Sequence, residues 1–235
     1  MLVKSYDERI ARQAARHSLV LGFLRDEAWS SAQVLTELLG GTPALTSKTM
    51  SQLEGHGHVL RHQPQPLRQV LWGITPHGLA HAWGEDEQMQ VRPYFEPSKL
   101  SPLAVPHHLD VQYARLKAQR AGWSGWIPEP LLPRGLAKRP DAVVLAPDGR
   151  KVAIEVERHV KTVKRYEAIF SAYLQAIRRG EYEEIRYIVP DRKFAVRLQR
   201  VFGLITAVPV IGDRVQLNEK HRARFRVSSR EDWPI

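Results

Sequence analysis

One stretch in the second half of the chain restricts the fold more than any other. Two runs of β-branched and aliphatic residues, 142–145 and 152–156, flank the sequence Pro147-Asp148-Gly149. β-Branched residues favour strands, and proline, aspartate and glycine are residues that turns select. The pattern therefore predicts a β-hairpin that begins after Pro140 and ends near Glu157.

Three acidic residues, Asp141, Glu155 and Glu157, lie on this hairpin. Strand periodicity places both glutamates on one face. It places Val152, Ile154 and Val156 on the other face, against the core. A two-residue turn would pair Asp141 with Val156, whereas a three-residue turn with a left-handed glycine would pair it with Glu155. Only the second register, or a bulge with the same effect, gathers the three carboxylates, and we predict that register.

Three carboxylates on one face repel each other, and a bound cation would keep such a cluster together. Oxygen ligands suit Mg²⁺ or Mn²⁺, ions that neutralise phosphate charge and polarise the scissile bond. The chain contains no cysteine, which excludes disulfide scaffolds, iron–sulfur clusters and thiol catalysis. Lys161, four residues after Glu157, is expected to stabilise negative charge on a phosphate. The alternative is a solvated strand whose glutamates form ion pairs with Arg150, Lys151 or Arg158.

The charge balance makes a polyanion the expected partner. The 235 residues include 35 Lys and Arg and 25 Asp and Glu, for a net charge of +10. Residues 85–235 hold 27 of the basic and 19 of the acidic residues, so most of the excess lies there. The longest apolar run near the start is far shorter than the roughly 20 residues that span a bilayer. No signal sequence is recognisable, and we expect a cytoplasmic protein without membrane insertion.

Prolines mark the expected division of the chain. Pro93, Pro97, Pro102 and Pro106 follow a short acidic run, and such a stretch favours an extended linker. We therefore predict a first domain over 1–84, a linker over 85–106 and a second domain over 107–235.

Residues 1–84 have the pattern of a winged helix-turn-helix. The predicted elements are a helix over 7–27, a helix capped by Ser30 or Ser31, a helix over 47–55, strands at 59–60 and 69–74, and a helix over 79–83. This order resembles winged-helix domains, whose common Leu/Ile-Thr-Pro-x-Gly ending is similar to Ile74-Thr75-Pro76-His77-Gly78. In such domains one helix enters the DNA major groove.

Outward polar groups of the third helix and basic groups beside the wing are the expected DNA contacts of this domain. They are Lys48, Thr49, Gln52, Arg61 and Arg68. The near-neutral charge of residues 1–84 favours an alternative, in which the domain makes protein contacts or acts as a spacer.

The second domain is predicted to alternate helices and strands around the hairpin. Helices are expected over 107–120, 160–179 and 191–201, and strands at 184–190, 208–211 and 215–217. On the first of these helices, Asp110 is placed to add a carboxylate to the metal site, and His107 to bind metal or move a proton. A surface ion pair for Asp110 and a capping role for His107 are the alternatives.

The residues Pro140-Asp141 and, after thirteen intervening residues, Glu155-Val156-Glu157 resemble the motif of the PD-(D/E)xK restriction-endonuclease-like superfamily. That motif has a lysine where this chain has Glu157, and Lys161 is the candidate replacement. Together with the winged helix, His107-His108-Leu109-Asp110 and Arg165-Tyr166, the arrangement resembles the MobC class of plasmid relaxases and the related replication-relaxation proteins.

The resemblance implies an α/β (α+β) fold, with a winged helix followed by a restriction-endonuclease-like domain that has a mixed central sheet. It implies a metal-dependent relaxase that nicks one strand at a plasmid transfer origin and works with accessory mobilization or coupling proteins. Mg²⁺ or Mn²⁺ would be held by Asp141, Glu155 and Glu157, assisted by Asp110 and His107. The catalytic lysine would be Lys161 or Lys164, and Arg139, Lys164 and Arg165 would contact DNA.

The sequence leaves the nucleophile and the activity open. Tyr166 would give a covalent link to DNA and water a plain nick, although a tyrosine within a helix is more often part of a core. A non-catalytic DNA-binding regulator or replication initiator that retains the fold is one alternative function. An ordinary endonuclease of restriction or repair type is the other.

Overall fold

Helices and strands alternate along the computed structural model, which describes residues 5–210 and 212–234. These ranges contain eight α-helices and ten β-strands, so the predicted mixed α/β class is confirmed. The chain divides into two units, Met1–Gln112 and Tyr113–Ile235. No helix within the described ranges has both the length and the apolar character needed to cross a membrane.

The described part of the first unit contains four helices and three strands before residue 85. In chain order they are α1 (Tyr6–Glu27), β1 (Trp29–Ser31), α2 (Ala32–Leu39), α3 (Pro43–Gly55), β2 (Val59–His62), β3 (Leu71–Ile74) and α4 (Pro76–Ala80). The strands form an antiparallel sheet in the order β1–β3–β2. The sequence pattern did not indicate β1, which is only three residues long.

Capping residues set the helix boundaries in this unit. The Ser31 side chain accepts a hydrogen bond from the backbone at the start of α2, at 3.2 Å, and is one of the two caps that the sequence predicts. Thr42 caps α3 in the same way, also at 3.2 Å. Because proline is favoured at the first helical position, α3 begins at Pro43 and not at the predicted Ser47.

The segment predicted as a linker, 85–106, belongs to the first unit. Phe95 is only 4% exposed, and its backbone N–H donates to Ile74 O at 2.9 Å. Its ring occupies the space above Gly73, where an added Cβ would lie 2.0 Å from Phe95 Cδ1. The prolines therefore prevent a helix in part of this segment without preventing burial.

A fifth helix, α5 (Val105–Arg120), contains the boundary between the two units. In the part of α5 that belongs to the first unit, the His108 ring centroid is 4.1 Å from that of Trp29. Gln112 Nε2 lies within hydrogen-bond distance of His108 Nε2, at 2.9 Å. Burial lowers the pKa of His108 below its ordinary value, against the opposing effect of the Glu27 carboxylate. The fold therefore prefers the neutral imidazole.

Acidification is expected to destabilise the protein through His108. The unfolded chain binds a proton at this histidine more readily than the folded chain, so stability falls as the pH drops below the ordinary histidine pKa. The thermal unfolding midpoint, measured by circular dichroism, should fall between about pH 8 and about pH 5.5. We expect this fall to be smaller in His108→Gln than in the wild type. An equally steep loss in the variant would contradict this prediction.

The second unit contains the predicted hairpin within a larger sheet. After α5, its elements are β4 (Ser124–Pro128), β5 (Ala142–Leu145), β6 (Lys151–Val156), α6 (Val163–Arg178), β7 (Glu184–Val189), α7 (Arg192–Gly203), β8 (Ala207–Val210), β9 (Asp213–Gln216), α8 (Glu219–Arg222) and β10 (Phe225–Ser229). The central sheet has the order β10–β7–β6–β5–β4. Strands β10, β7 and β6 are parallel and the remaining two are antiparallel, which confirms a mixed sheet.

Two strands predicted in the last third of the chain form a sheet of their own. β8 and β9 pair with each other in antiparallel fashion, separately from the central sheet. Ile211, the last residue of the predicted strand 208–211, lies outside the described residues.

The hairpin between β5 and β6 has the predicted three-residue turn. Gly149 has a φ of 86°, and its N–H donates to Ala146 O at 2.8 Å. Ala142 pairs with Ile154, so the same register places Asp141 opposite Glu155. The register expected from the turn chemistry is therefore confirmed.

Both faces of β6 are buried. Ala153, which shares the face of Glu155, belongs to the apolar core that α6 and α7 cover. On the opposite face, Val152 and Ile154 are fully buried as well. The prediction of a core against the valine and isoleucine face is therefore incomplete, because a central strand of a mixed sheet is buried on both sides.

Candidate active site

The three predicted acidic residues lie at one end of the hairpin. Asp141 directly precedes β5, Glu155 lies on β6 and Glu157 directly follows β6. Glu157 N–H donates to Ile188 O at 2.9 Å, so pairing with β7 continues past the end of the strand. Asp141 Oδ2 accepts a hydrogen bond from Val156 N–H at 2.7 Å, which holds this carboxylate against β6.

Glu155 is surrounded by groups that stabilise its charge and by one that opposes it. Its Oε1 lies 2.7 Å from Lys138 Nζ and accepts a hydrogen bond from the Tyr173 hydroxyl. Burial, and then the negative charge of Asp141, raise the pKa of Glu155, while Lys138 acts to lower it. The hairpin thus carries a buried carboxyl beside a second carboxyl, an arrangement that favours a nearby cation.

Glu157 is buried in a separate set of contacts. Its Oε2 accepts hydrogen bonds from Lys161 Nζ and, at 3.1 Å, from the Tyr166 hydroxyl. The Tyr166 oxygen in turn accepts a hydrogen bond from Lys161 N–H at 3.3 Å. Tyr166 is fully buried, and this burial raises its pKa well above the ordinary tyrosine value. The placement favours the core interpretation of Tyr166 over a nucleophile that attacks DNA.

An open pocket of about 400 Å³ lies between β6 and α6. Glu155 contributes to its lining together with three basic side chains, those of Lys138, Lys161 and Arg165. The rest of the pocket lining consists of small and apolar residues of α6, so the pocket has space for a ligand beside the charged groups. A pocket with one carboxylate and three cations is suited to an anionic ligand that carries a divalent cation.

The acidic side chains do not converge on a single point. Within the described residues, Asp141, Glu155 and Glu157 do not bring three ligand atoms within 4.8 Å of one another. Each glutamate forms an ion pair with a lysine, Glu155 with Lys138 and Glu157 with Lys161. Of the three predicted ligands, Asp141 and Glu155 lie opposite each other on the hairpin, whereas Glu157 does not join them in a three-ligand group.

The predicted alternative, a solvated strand, also differs from the structure. Arg150, one of the three basic residues proposed as ion-pair partners of the hairpin glutamates, instead pairs with Asp148 and with the buried Glu184. Glu157 is only 6% exposed, so it is not part of a solvated face.

His107 and Asp110, the predicted additional ligands, lie on α5 in the part that belongs to the first unit. Asp110 is buried and His107 is half-buried. Their assistance at the metal site stays a prediction.

The predicted DNA contacts of the first unit differ in exposure. Lys48 on α3 is exposed, and so are Arg61 on β2 and Arg68 in the loop before β3. Gln52 is half-buried and lies 3.3 Å from His17 Nε2. Thr49 is buried, and its hydroxyl donates to the backbone of its own helix at 2.9 Å. Its assignment as an outward group was therefore wrong.

The predicted DNA contacts of the second unit each lie next to a pocket-lining residue in the sequence or line the pocket themselves. Arg139 forms an ion pair with Glu129 at 3.0 Å and is half-buried. Lys164 and Arg165 are exposed in the first turn of α6, and Arg165 also lines the pocket. Their contact with DNA stays a prediction.

Sequence reasoning missed two residues of the site, Lys138 and Tyr173. Lys138 lies three residues before Asp141, outside the motif that directed attention to later lysines. Tyr173 lies seven residues after Tyr166 on α6, and a spacing of seven returns a side chain to the same helix face. That spacing is the signal that would have predicted a second tyrosine beside the glutamates.

Comparison with known proteins adds no family assignment. No family model matches the chain, and no curated protein matches it. A solved structure of a mutant of the Lactococcus lactis protein ZitR in its apo form is similar over 32% of this chain, with 21% identity and a TM-score of 0.28. The matched part spans 57% of the ZitR chain. A TM-score this low does not assign a fold.

Proposed function

We propose that this chain is a metal-dependent DNA relaxase that nicks one strand at a plasmid transfer origin to start conjugative mobilization. The observation that carries the proposal is the opposed pair of Asp141 and Glu155 on the β5–β6 hairpin, beside a pocket lined by basic side chains. The resemblance of the sequence motif to PD-(D/E)xK nucleases supports this chemistry, and the resemblance of the wider arrangement to relaxases supports the substrate.

The donor atoms at the hairpin fit a hard divalent cation. Mg²⁺ commonly binds through one or two carboxylates and keeps its remaining positions for water and substrate phosphate. Asp141 and Glu155 offer such a pair. Burial, and then the negative charge of Asp141, raise the pKa of Glu155, and a bound cation would compensate that charge. Mg²⁺ or Mn²⁺ bound there would supply charge neutralisation at the phosphate and activation of the attacking water.

The lysines supply the remaining positive charge. Lys138 pairs with Glu155, and once that carboxylate is neutralised the ammonium group can donate to the scissile phosphate. Lys161 lines the same pocket and is held by Glu157, so we assign Glu157 a positioning role beside its predicted role as a ligand. Charged donors aimed at developing negative charge are a major source of rate enhancement in such reactions.

The first unit would provide recognition of the origin. Its order of helices and strands fits a winged helix-turn-helix, with α3 as the recognition helix and β2–β3 as the wing. Lys48, Arg61 and Arg68 are exposed on these elements. Contacts of this kind to phosphate position a protein on DNA, and accessory mobilization or coupling proteins would complete the assembly.

Water is the nucleophile that this site favours. We expect Tyr166→Phe to nick DNA within about tenfold of the wild-type rate. The substitution removes only the hydrogen bond from the Tyr166 hydroxyl to Glu157, and a bond of this kind is worth about 1 kcal/mol. The free energy of unfolding should fall by a similar amount, because the Tyr166 hydroxyl bonds the buried Glu157. Gel analysis of the nicked strand would give a free 5′ end. The assignment of water would be contradicted if the Tyr166→Phe variant did not nick DNA and the wild-type protein became covalently attached to the nicked strand.

A second candidate is a non-catalytic DNA-binding regulator or replication initiator with a nuclease-like fold. The lysine–carboxylate pairs favour it, because both glutamates are neutralised by the protein's own side chains. Such a protein would bind DNA specifically without metal and would not cut it.

One assay separates these functions. The purified protein is incubated with supercoiled plasmid that carries a transfer origin, in Mn²⁺, with a plasmid lacking the origin as control. Open-circle product at one site supports the relaxase. Linear product indicates an ordinary endonuclease, and intact plasmid with sequence-specific binding indicates the regulator.

A further inference from the structure

Five histidines lie close together in the first unit. His58, His77 and His81 form the centre of this group, and their ligand nitrogens all lie within 4.8 Å of one another. The ring centroids are 5.0 Å apart for His58 and His77, 4.6 Å for His58 and His81, and 4.8 Å for His77 and His81. His56 and His17 continue the chain of ring contacts toward α1.

The fold fixes the distance between His58 and α4. Thr75 caps α4, and its hydroxyl donates to Gly57 O at 2.7 Å, while its N–H donates to His58 O at 3.0 Å. Gly78 lies so close that an added Cβ would be 1.9 Å from His58 O. The backbone that carries His58 is therefore fastened to the helix that contains His77 and ends at the C-cap residue His81.

His77 and His81 are four residues apart at α4, a spacing that brings side chains to the same side of a helical turn. Both are exposed, whereas His58 is half-buried. His58 Nδ1 is shielded from solvent and has no hydrogen-bond partner among the described residues. An orphaned polar atom costs free energy, which a bond to a metal ion through this nitrogen would recover.

The surroundings of His58 favour the metal-binding form of its imidazole. Burial, followed by the neighbouring histidines, lowers the pKa of His58. A neutral imidazole is the form that ligates a metal, because its free lone pair can bind a divalent ion.

We propose that His58, His77 and His81 form a binding site for a borderline divalent transition-metal ion such as Zn²⁺, with solvent at the fourth position. Imidazole nitrogen suits Zn²⁺, whereas Mg²⁺ and Ca²⁺ prefer oxygen ligands. Zn–N bonds of about 2.0–2.1 Å require nitrogens about 3.4 Å apart in a tetrahedral site. The exposed rings of His77 and His81 can make the small inward movement from the present spacing. The bound ion would fasten α4 to the residues that precede β2.

Calorimetric titration of the full chain with Zn²⁺ tests this site. The protein is first stripped with a chelator and then titrated in excess Mg²⁺, so that carboxylate sites such as Asp141 and Glu155 are occupied. We expect one Zn²⁺ per chain. His77→Gln and His81→Gln should each weaken Zn²⁺ binding by at least roughly 10- to 100-fold. Loss of a group that only hydrogen-bonds a metal ligand already has an effect of this size, and these variants remove a ligand itself.

His62→Gln is the matched control. His62 lies at the end of β2 in the same unit but outside the three-histidine group, and this variant should bind Zn²⁺ as the wild type does. Zinc-edge X-ray absorption should detect imidazole ligands in the wild type and lose that signal in the His77→Gln/His81→Gln double variant. Absence of Zn²⁺ binding by the wild type, or unchanged binding by a folded double variant, would overturn the proposal.

Discussion

Glu155→Gln is expected to abolish nicking of supercoiled origin plasmid in Mg²⁺ or Mn²⁺. The substitution removes one of the two carboxylates assigned to the cation, and it also removes the ion-pair partner of Lys138. A divalent ion supplies several kcal/mol of charge stabilisation, and a loss of about 4 kcal/mol corresponds to a rate about 10³-fold lower. The rate of open-circle formation on agarose gels measures the effect.

The fold should survive this substitution, which makes the result interpretable. Glutamine has nearly the same shape and still offers an oxygen to the Tyr173 hydroxyl. Burial, and then Asp141, raise the pKa of Glu155, so an uncharged glutamine avoids the desolvation cost and the repulsion that the carboxylate carries there. Glu219→Gln, at an exposed position in the first turn of α8, is the matched control and should nick at the wild-type rate. Wild-type nicking by Glu155→Gln would exclude the assigned site.

The hairpin register could be predicted because local chemistry determines it. A three-residue turn that ends in a left-handed glycine permits only one pairing of the flanking strands, and Gly149 has the required positive φ. The pairing of Asp141 with Glu155 follows without knowledge of any distant residue.

The environment of the carboxylates could not be predicted in the same way. Tyr173 reaches Glu155 only because α6 returns over the sheet after the hairpin, and the sequence gives no direct measure of that return. Lys138 reaches Glu155 across the strand pairing, although the two residues are 17 positions apart. The sequence therefore predicted the acidic residues better than their counterions.

The remaining errors have a common physical origin. Thr49 was judged by residue type, as a polar helix residue, and Phe95 lies in the proline-rich segment that was predicted as a linker. Thr49 is buried because its hydroxyl bonds a carbonyl of its own helix, which satisfies the polar group without solvent. Phe95 is buried because Gly73 leaves space for its ring. In both cases a partner that the pattern does not reveal decides the burial.

Gly78→Ala is expected to destabilise the first unit more than any other single methyl addition to α4. The new Cβ would lie 1.9 Å from His58 O, and a backbone atom cannot move aside as the end of a side chain can. Relief requires α4 to shift, which weakens the hydrogen bonds from Thr75 to this segment. Overpacking of this kind costs up to about 3 kcal/mol in the free energy of unfolding, measured by urea denaturation.

Gly22→Ala separates the effect of close packing from the general effect of replacing glycine. Gly22 lies within α1, and nothing lies within 4 Å of its added Cβ. Alanine should therefore raise the free energy of unfolding by about 0.8–1.0 kcal/mol, the difference in helix propensity. Since Gly78→Ala also moves α4 away from His58, it should weaken Zn²⁺ binding while His77 and His81 keep their helical spacing. A Gly78→Ala protein as stable as the wild type would show that α4 is not held against His58, and the three-histidine site would then lose its structural basis.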